Sequence, residues 1–231
     1  MAEAALPRRA AAPLARALAL YAGESPGVRL HVLARHWLCP LRRIADHVPS
    51  RGRVLDVGCG HGLFGNLLAL ESPRREVVGI DPMASKIAVA QRVARALPNA
   101  RYVVGSAADA LADRPPGGYD VVTILDVLYL LPPPAKLALL QACRALIAPH
   151  GLLLLKTNDT RPAWKYRWAR FEEQLMTGLG LTEGQGLHFF SAAENQALLA
   201  AAGFQARVVR LDTWLPYPHV LFVARPDGDA A

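Results

Sequence analysis

RVLDVGCGHGLFG, Arg53 to Gly65, is the stretch whose reading decides the fold. Val54, Leu55 and Val57 form a short apolar, β-branched run suited to a strand buried on both faces of a parallel sheet. The alternate glycines Gly58, Gly60 and Gly62 follow at once, and Leu63, Phe64, Leu67 and Leu68 then open an amphipathic helix. Lacking a Cβ, a turn built this way bends tightly and can present N–H groups to a ligand. Strand, glycine turn and helix together predict a nucleotide-type pocket.

Downstream, Val77 to Ile80 predicts a second strand ending on Asp81, and Ala84 to Leu97 a helix. An acid in that position, about 20 residues past the glycines, sits where an ionised carboxylate accepts two ribose hydroxyls. Capping of the next helix through Pro82 and Met83 is the alternative reading. A third strand, Arg101 to Val104, leads into Gly105, Ser106, Ala107 and a small-residue loop to Asp109. Tyr119 to Asp126, YDVVTILD, reads as a fourth strand ending again on an acid, and Leu152 to Lys156 as a fifth after a helix that closes at Pro149 to Gly151. The alternation predicts an α/β, doubly wound, mainly parallel seven-stranded Rossmann-like sheet with the last strand antiparallel and helices on both faces. Ligands then belong beyond the carboxyl ends of the strands, where Asp81, Ser106, Asp126 and the run Thr157 to Asp159 fall.

The rhythm lapses from Asn158 to Phe190, too long for an ordinary connection. Trp164, Trp168, Phe171 and Leu175 recur there at helical spacing beside Lys165, Arg167 and Arg170, a stripe expected to pack on the body as a lid over the acceptor site. The same pattern also suits a helix lying on a membrane surface or gripping a lipid. A glycine-bearing loop, Gly178 to Gly186, follows. Ser191 to Ala202 reads as a capped helix with Glu194 at its third position and Gly203 at its end. Gln205 to Leu211 and His219 to Ala224 then make an antiparallel pair across a proline-bearing turn with Trp214. Upstream, Val28 to His47 predicts helices broken near Pro40.

The chain of 231 residues suits one large domain, expected over 28–226 with 158–190 as a variable insertion. Residues 1–27 read as a flexible or accessory segment, with an organelle transit peptide as the alternative, and residues 227–231 as a tail. No apolar run approaches the ~18 residues of a membrane span. Three widely spaced cysteines, without a CxxC, indicate neither a disulfide framework nor zinc and fit a cytoplasmic location. His31, His36, Cys39 and His47 match no ligand spacing, so no metal is expected. The net charge of +7 is spread along the chain rather than gathered in a nucleic-acid footprint, and nothing in the sequence speaks to oligomeric state.

Together these motifs resemble the class I S-adenosylmethionine-dependent methyltransferases. VLDVGCGHG at 54–62 is similar to their glycine motif, VVGIDPM at 77–83 to their ribose-binding acid with an apolar residue against adenine, and YDVVTILDVLYLL to their fourth-strand motif. The resemblance implies S-adenosyl-L-methionine as cofactor, with Gly58, Cys59 and Gly60 against its methionine part and Asp56 ordering the turn. It implies further that Asp81 holds the ribose hydroxyls, that Pro82 and Met83 cover the adenine, and that Asp126 sits near the methionine amino group or the acceptor. Where many members carry an acid for the adenine amino group, this chain offers Ser106, so backbone around Ala107 is expected to serve.

Methyl transfer from a sulfonium needs an aligned nucleophile, and a proton acceptor only where the nucleophile carries a proton. His188, Asp126 and Tyr129 are the candidates by placement, with His61, Lys156 and Asp159 as further rim residues. Arg161, Lys165, Arg167 and Arg170 beside Trp164 and Trp168 suggest a small hydrophobic or anionic acceptor: an acyl chain, an aromatic acid or a lipid precursor. Two rival readings stand. Gly60, Gly62 and Gly65 satisfy the GxGxxG of nicotinamide-dependent oxidoreductases, and the sheet could serve as a non-catalytic nucleoside-binding module.

Overall fold

The structure is a computed structural model that describes residues 12–178, 187–211 and 217–228. Its strands are β1 (Gly52–Val57), β2 (Arg75–Asp81), β3 (Ala100–Val104), β4 (Tyr119–Leu125), β5 (Ile147–Asn158), β6 (Phe204–Arg210) and β7 (His219–Pro226). They form one seven-stranded sheet in the order β3-β2-β1-β4-β5-β7-β6. β1 to β5 run parallel, and β7 inserts antiparallel to both β5 and β6. The order reverses between β1 and β4, which opens a crevice at the carboxyl ends of these two strands.

Around the sheet lie α1 (Ala12–Ala19), α2 (Pro26–Leu38), α3 (Leu41–Ala45), α4 (Leu63–Glu71), α5 (Ala84–Val93), α6 (Pro133–Leu146), α7 (Ala163–Gly178) and α8 (Ala192–Ala201). Successive strand residues feed opposite faces. Val54, Val121 and Leu154 pack with Ala17, Ile44, Leu67 and Leu68, while Leu55, Val122, Leu153 and Leu155 pack with Leu140, Cys143, Leu146 and Leu199. The continuous apolar runs in β1, β4 and β5 follow from this two-sided burial. Residues 12–27 contribute to the first of these cores: Ala17 and Tyr21 are buried, and α1 packs on α4.

Two expectations meet a different outcome. Pro149 to Gly151 does not close a helix before a short strand, because β5 already begins at Ile147. Its register against β4 shifts between Tyr119 and Val121, and Gly151 allows the bulge: a Cβ there would lie 2.9 Å from the Tyr119 carbonyl oxygen. The stripe on α7 does not pack on the body, since Trp164, Trp168 and Phe171 are 61%, 50% and 61% exposed. The side chain of Leu175, the 179–186 loop and the turn with Trp214 lie outside the described residues. α8 forms the expected capping box: Ser191 Oγ accepts from the Glu194 N–H, and the Glu194 carboxylate accepts from the Ser191 N–H at 2.7 Å. Among the described residues no helix is long and apolar enough to cross a membrane.

Candidate active site

A cavity of about 230 Å³ opens at the crevice, walled by the glycine turn, the β2 end, the β4 and β5 ends and α2. Gly58, Gly60 and Gly62 all have positive φ, at 72°, 55° and 83°, so the turn is unfavourable for any other residue type. Their surroundings differ. A Cβ on Gly58 would lie 2.3 Å from Val127 Cγ2, and one on Gly62 would lie 2.8 Å from the Tyr102 ring, whereas one on Gly60 would meet nothing within 4 Å. Gly60 is thus the glycine whose bare backbone faces open space, and Gly58 and Gly62 admit neighbouring side chains.

Below the turn, the Tyr102 hydroxyl reaches both Asn66 Oδ1, at 2.8 Å, and the Gly62 carbonyl, at 3.0 Å. Asn66 Nδ2 donates to the Tyr21 hydroxyl at 3.0 Å, and that hydroxyl donates to the His61 carbonyl at 2.7 Å. This buried network, fed by three separate elements, holds the turn from beneath.

Asp81, 7% exposed, ties the turn to the next element. Its Oδ2 accepts from the Gly60 N–H and its Oδ1 from the Met83 N–H, both at 2.9 Å. The carboxylate therefore both caps the start of α5 and lines the cavity, and each oxygen keeps a further acceptor position. Asp56 is buried beneath, its Oδ1 accepting from Thr123 Oγ1 at 2.6 Å. Burial pushes its carboxyl up to about 6, although the Thr123 bond opposes this.

At the other end Asp126 adopts a positive φ of 61° and aims its carboxylate between two cations. Arg35 Nη1 lies 2.5 Å from Oδ2 and Lys156 Nζ 2.6 Å from Oδ1. Burial alone would raise this carboxyl, but Lys156 and Arg35 outweigh it and hold it well below the usual carboxylate range. Asp126 therefore stays ionised and clamps two side chains; it is not a group that collects a proton. Arg35 also donates to the Leu125 carbonyl at 3.1 Å, so α2 is fastened to the end of β4.

The cavity brings together Asp56, Gly58, Cys59, Gly60, Asp81, Pro82, Met83, Asp126 and Tyr129. Ser106, Ala107 and His188 are not among its lining residues. Ser106 is engaged with Asp109, whose Oδ2 accepts from its N–H and its hydroxyl at 2.8 Å each, and Ala107 is buried in the core. His188 is held through its backbone: its N–H donates to the Tyr129 carbonyl at 2.7 Å, and its carbonyl accepts from Lys136 Nζ. Tyr129 stacks on Phe189 at 4.7 Å, and Tyr166 of α7 meets Phe189 edge-on at 5.5 Å.

Sequence reasoning did not single out Arg35, Lys86 or His219 as wall residues. A glycine turn at a topological switch point, with an acid closing β2 and an antiparallel β7, defines the class I methyltransferase architecture. Residues 29–209 match the family model described as a methyltransferase domain, and the chain belongs to that family.

Among curated relatives, the ubiquinone biosynthesis O-methyltransferase of Xanthomonas campestris pv. campestris (strain B100) is 35% identical over 133 residues, 55% of this chain and 53% of that one. The protein of the same name from Paraburkholderia xenovorans (strain LB400) is 38% identical over 125 residues, 53% and 52% of the two chains. The chain thus spans about half the length of these relatives. The pyocyanin biosynthetic protein PhzM shares the fold with a TM-score of 0.68 at 20% identity, over 90% of this chain and 60% of that one. DhpI, solved with SAH, gives 0.59 at 20% identity over 95% of both.

S-adenosylmethionine is the cofactor this family membership assigns, and the nicotinamide and non-catalytic readings are not favoured. The residues present fit such a donor. Gly60 leaves a place a Cβ would fill, and a buried carboxylate with spare acceptor capacity stands beside it.

Proposed function

We propose that the chain transfers a methyl group from S-adenosylmethionine to a small-molecule acceptor of hydrophobic, aromatic or lipid-like character. The observation that carries this reading is that one cavity runs from the Gly60–Asp81 wall to a second end formed by Arg35, Tyr129, Lys156, Asn158, Tyr217 and His219. When bound, the donor supplies a sulfonium methyl that is already activated, so the protein's part is alignment and exclusion of water. Backbone of Gly58, Cys59 and Gly60 would face its amino-acid part, Asp81 its ribose, and Pro82 and Met83 its base. Ser106 and Ala107, outside the cavity wall, would reach the base only through backbone. Asp126 acts by holding Arg35 and Lys156 in place, and His188 by carrying the Phe189 ring to Tyr129.

Calorimetry tests the reading: S-adenosylmethionine binds, NAD does not, and Asp81→Ala abolishes the binding. Equal binding by Asp81→Ala would overturn it. Transfer of labelled methyl to a small-molecule fraction of a cell extract, rather than to protein or nucleic acid, checks the acceptor class.

The α7 segment supports a second role for residues 161–175. Tyr166 connects it to the cavity wall through Phe189 and Tyr129, as a lid would be connected. Its exposed Trp164, Trp168 and Phe171 stand beside the exposed Arg161, Arg167 and Arg170, a pattern that suits docking on an anionic lipid surface. Cosedimentation with phosphatidylglycerol vesicles but not phosphatidylcholine vesicles, lost in Trp168→Ala with Arg170→Ala, is the expected result. Three free cysteines, Cys39, Cys59 and Cys143, suit a cytoplasmic setting.

A further inference from the structure

Lys136 stands in the first turn of α6 and is buried, at 1% exposure. A lysine is disfavoured there twice over: burial strips its ammonium of water, and the N-terminal end of a helix repels a cation. Among the described residues no carboxylate lies within ion-pair distance of Nζ. What covers the ammonium is the strap of residues 187–190 that leads into α8. Nζ donates to the His188 carbonyl and lies 3.5 Å from the centre of the Phe190 ring. Glu194 of α8 attracts the charge, but its carboxylate is already engaged by the Ser191 N–H and hydroxyl, at 2.7 Å each. The strap's own His188, and Tyr129 of the Leu128–Leu130 turn, whose carbonyl accepts from the His188 N–H at 2.7 Å, are the other ionisable residues at this junction. Burial outweighs the pull of Glu194 and brings the lysine from 10.5 down to about 8, so the group is still charged at neutral pH.

We infer that the 187–190 strap is a proton-linked latch on the acceptor end of the cavity: lifting it returns the Lys136 ammonium to water, and seating it favours the neutral amine. A lysine uncovered by a lifted strap has its ordinary affinity for a proton, whereas the seated site holds that proton less firmly. Protonation therefore favours the lifted form, and the seated form gains as pH rises from 8 towards 10.5. The His188 carbonyl and the Phe190 ring offset part of the burial cost, which lets the charged form be seated at all. Lifting the strap carries Phe189 away from Tyr129, a residue of the cavity wall, and from Tyr166 of α7. The wall then opens for acceptor and product to exchange. That use of the latch rests on the methyltransferase reading above; the latch itself does not.

The test is limited proteolysis of the full chain with chymotrypsin, following by mass the cuts after Phe189 and Phe190, which need the strap lifted. At low protease the cleavage rate tracks the population of the lifted form. Dividing the wild-type rate by that of Lys136→Met at each pH removes the protease's own pH dependence. The expected ratio falls roughly tenfold between pH 7 and pH 9, the change that a shift from 10.5 to about 8 demands. A ratio that stays flat or rises over this range overturns the inference. Carbon-13 NMR of lysine Cε in the wild-type chain gives a second reading that needs no variant. The Lys136 signal should titrate near pH 8, and a midpoint near 10.5 would equally overturn the latch. Neither measurement uses donor or acceptor, so failure of S-adenosylmethionine to bind in calorimetry would sink the methyltransferase reading and leave the latch standing.

Discussion

Alanine at Gly58 and alanine at Gly60 should fail for different reasons. Both positions have a positive φ, 72° and 55°, so each substitution carries a left-handed backbone penalty of about 1–2 kcal/mol. At Gly58 the new methyl would also lie 2.3 Å from Val127 Cγ2. Val127 is β-branched and cannot turn aside freely, so the overlap adds a packing cost of about 1–3 kcal/mol. At Gly60 no atom lies within 4 Å of the added methyl, and the strain stands alone. Urea unfolding should therefore find Gly58→Ala less stable than wild type by about 2–5 kcal/mol and Gly60→Ala by about 1–2 kcal/mol. Donor affinity should rank the other way for its cause: the Gly60 methyl projects into the cavity and should weaken S-adenosylmethionine binding even where the variant is fully folded. Val127→Ala in the Gly58→Ala background should recover the packing part and leave the strain. Equal stability of the two single variants would refute the assignment of Gly58 to Val127. Undiminished donor binding by folded Gly60→Ala would refute the assignment of Gly60 to the ligand.

Lys156→Met should destabilise the protein by roughly 3–5 kcal/mol in urea unfolding, because Asp126 is buried and, among the described residues, is left with Arg35 as its ion-pair partner. Adding Asp126→Asn should recover much of the loss. Tyr102→Phe removes the hydroxyl that the buried Asn66 Oδ1 and the Gly62 carbonyl share, a cost of about 1–3 kcal/mol by the same measurement. Asp56 has a folded-state carboxyl raised from 3.8 to about 6, so between those values the native chain holds a proton that the unfolded chain has lost. Stability from this group is intact below pH 3.8 and falls as pH rises through 6, by about 2–3 kcal/mol in all. A stability profile of Asp56→Asn should lack that slope, and a variant that keeps it would show that folding does not raise the Asp56 carboxyl.

Much of the sheet was legible because burial on both faces leaves strands few polar positions, Asp56 and Thr123 being a hydrogen-bonded pair. The runs at Val54, Val77, Tyr119 and Leu152 therefore identify β1, β2, β4 and β5 without help from alternation. The start of β5 was not legible. Pro149, His150 and Gly151 carry the residue types of a loop, and only the Tyr119 carbonyl beside Gly151 shows that the glycine serves a bulge within a strand. The α7 stripe misled in the opposite direction. Helical spacing of Trp164, Trp168 and Phe171 establishes that these rings share a face, but spacing does not say whether anything lies against it.

In the site, the local part was legible and the long-range part was not. Gly60 and Asp81 could be read because a turn and the strand beside it place them within one βαβ unit, and their 2.9 Å contact follows from that proximity. The three glycines look equivalent in sequence and differ only in what fills the missing Cβ: a valine, a cavity and a tyrosine ring. Asp126 could be placed at the rim but not assigned a charge state. That depends on Arg35, 91 residues earlier in a helix with no motif, and on Lys156 across the β4–β5 pair. His219 shows the limit most clearly. Its partner Asn158 stands 61 residues away, and the two meet only because β7 enters the sheet antiparallel beside β5 in one register. A slip of one residue would turn His219 to the other face of the sheet and break its contact with Asn158.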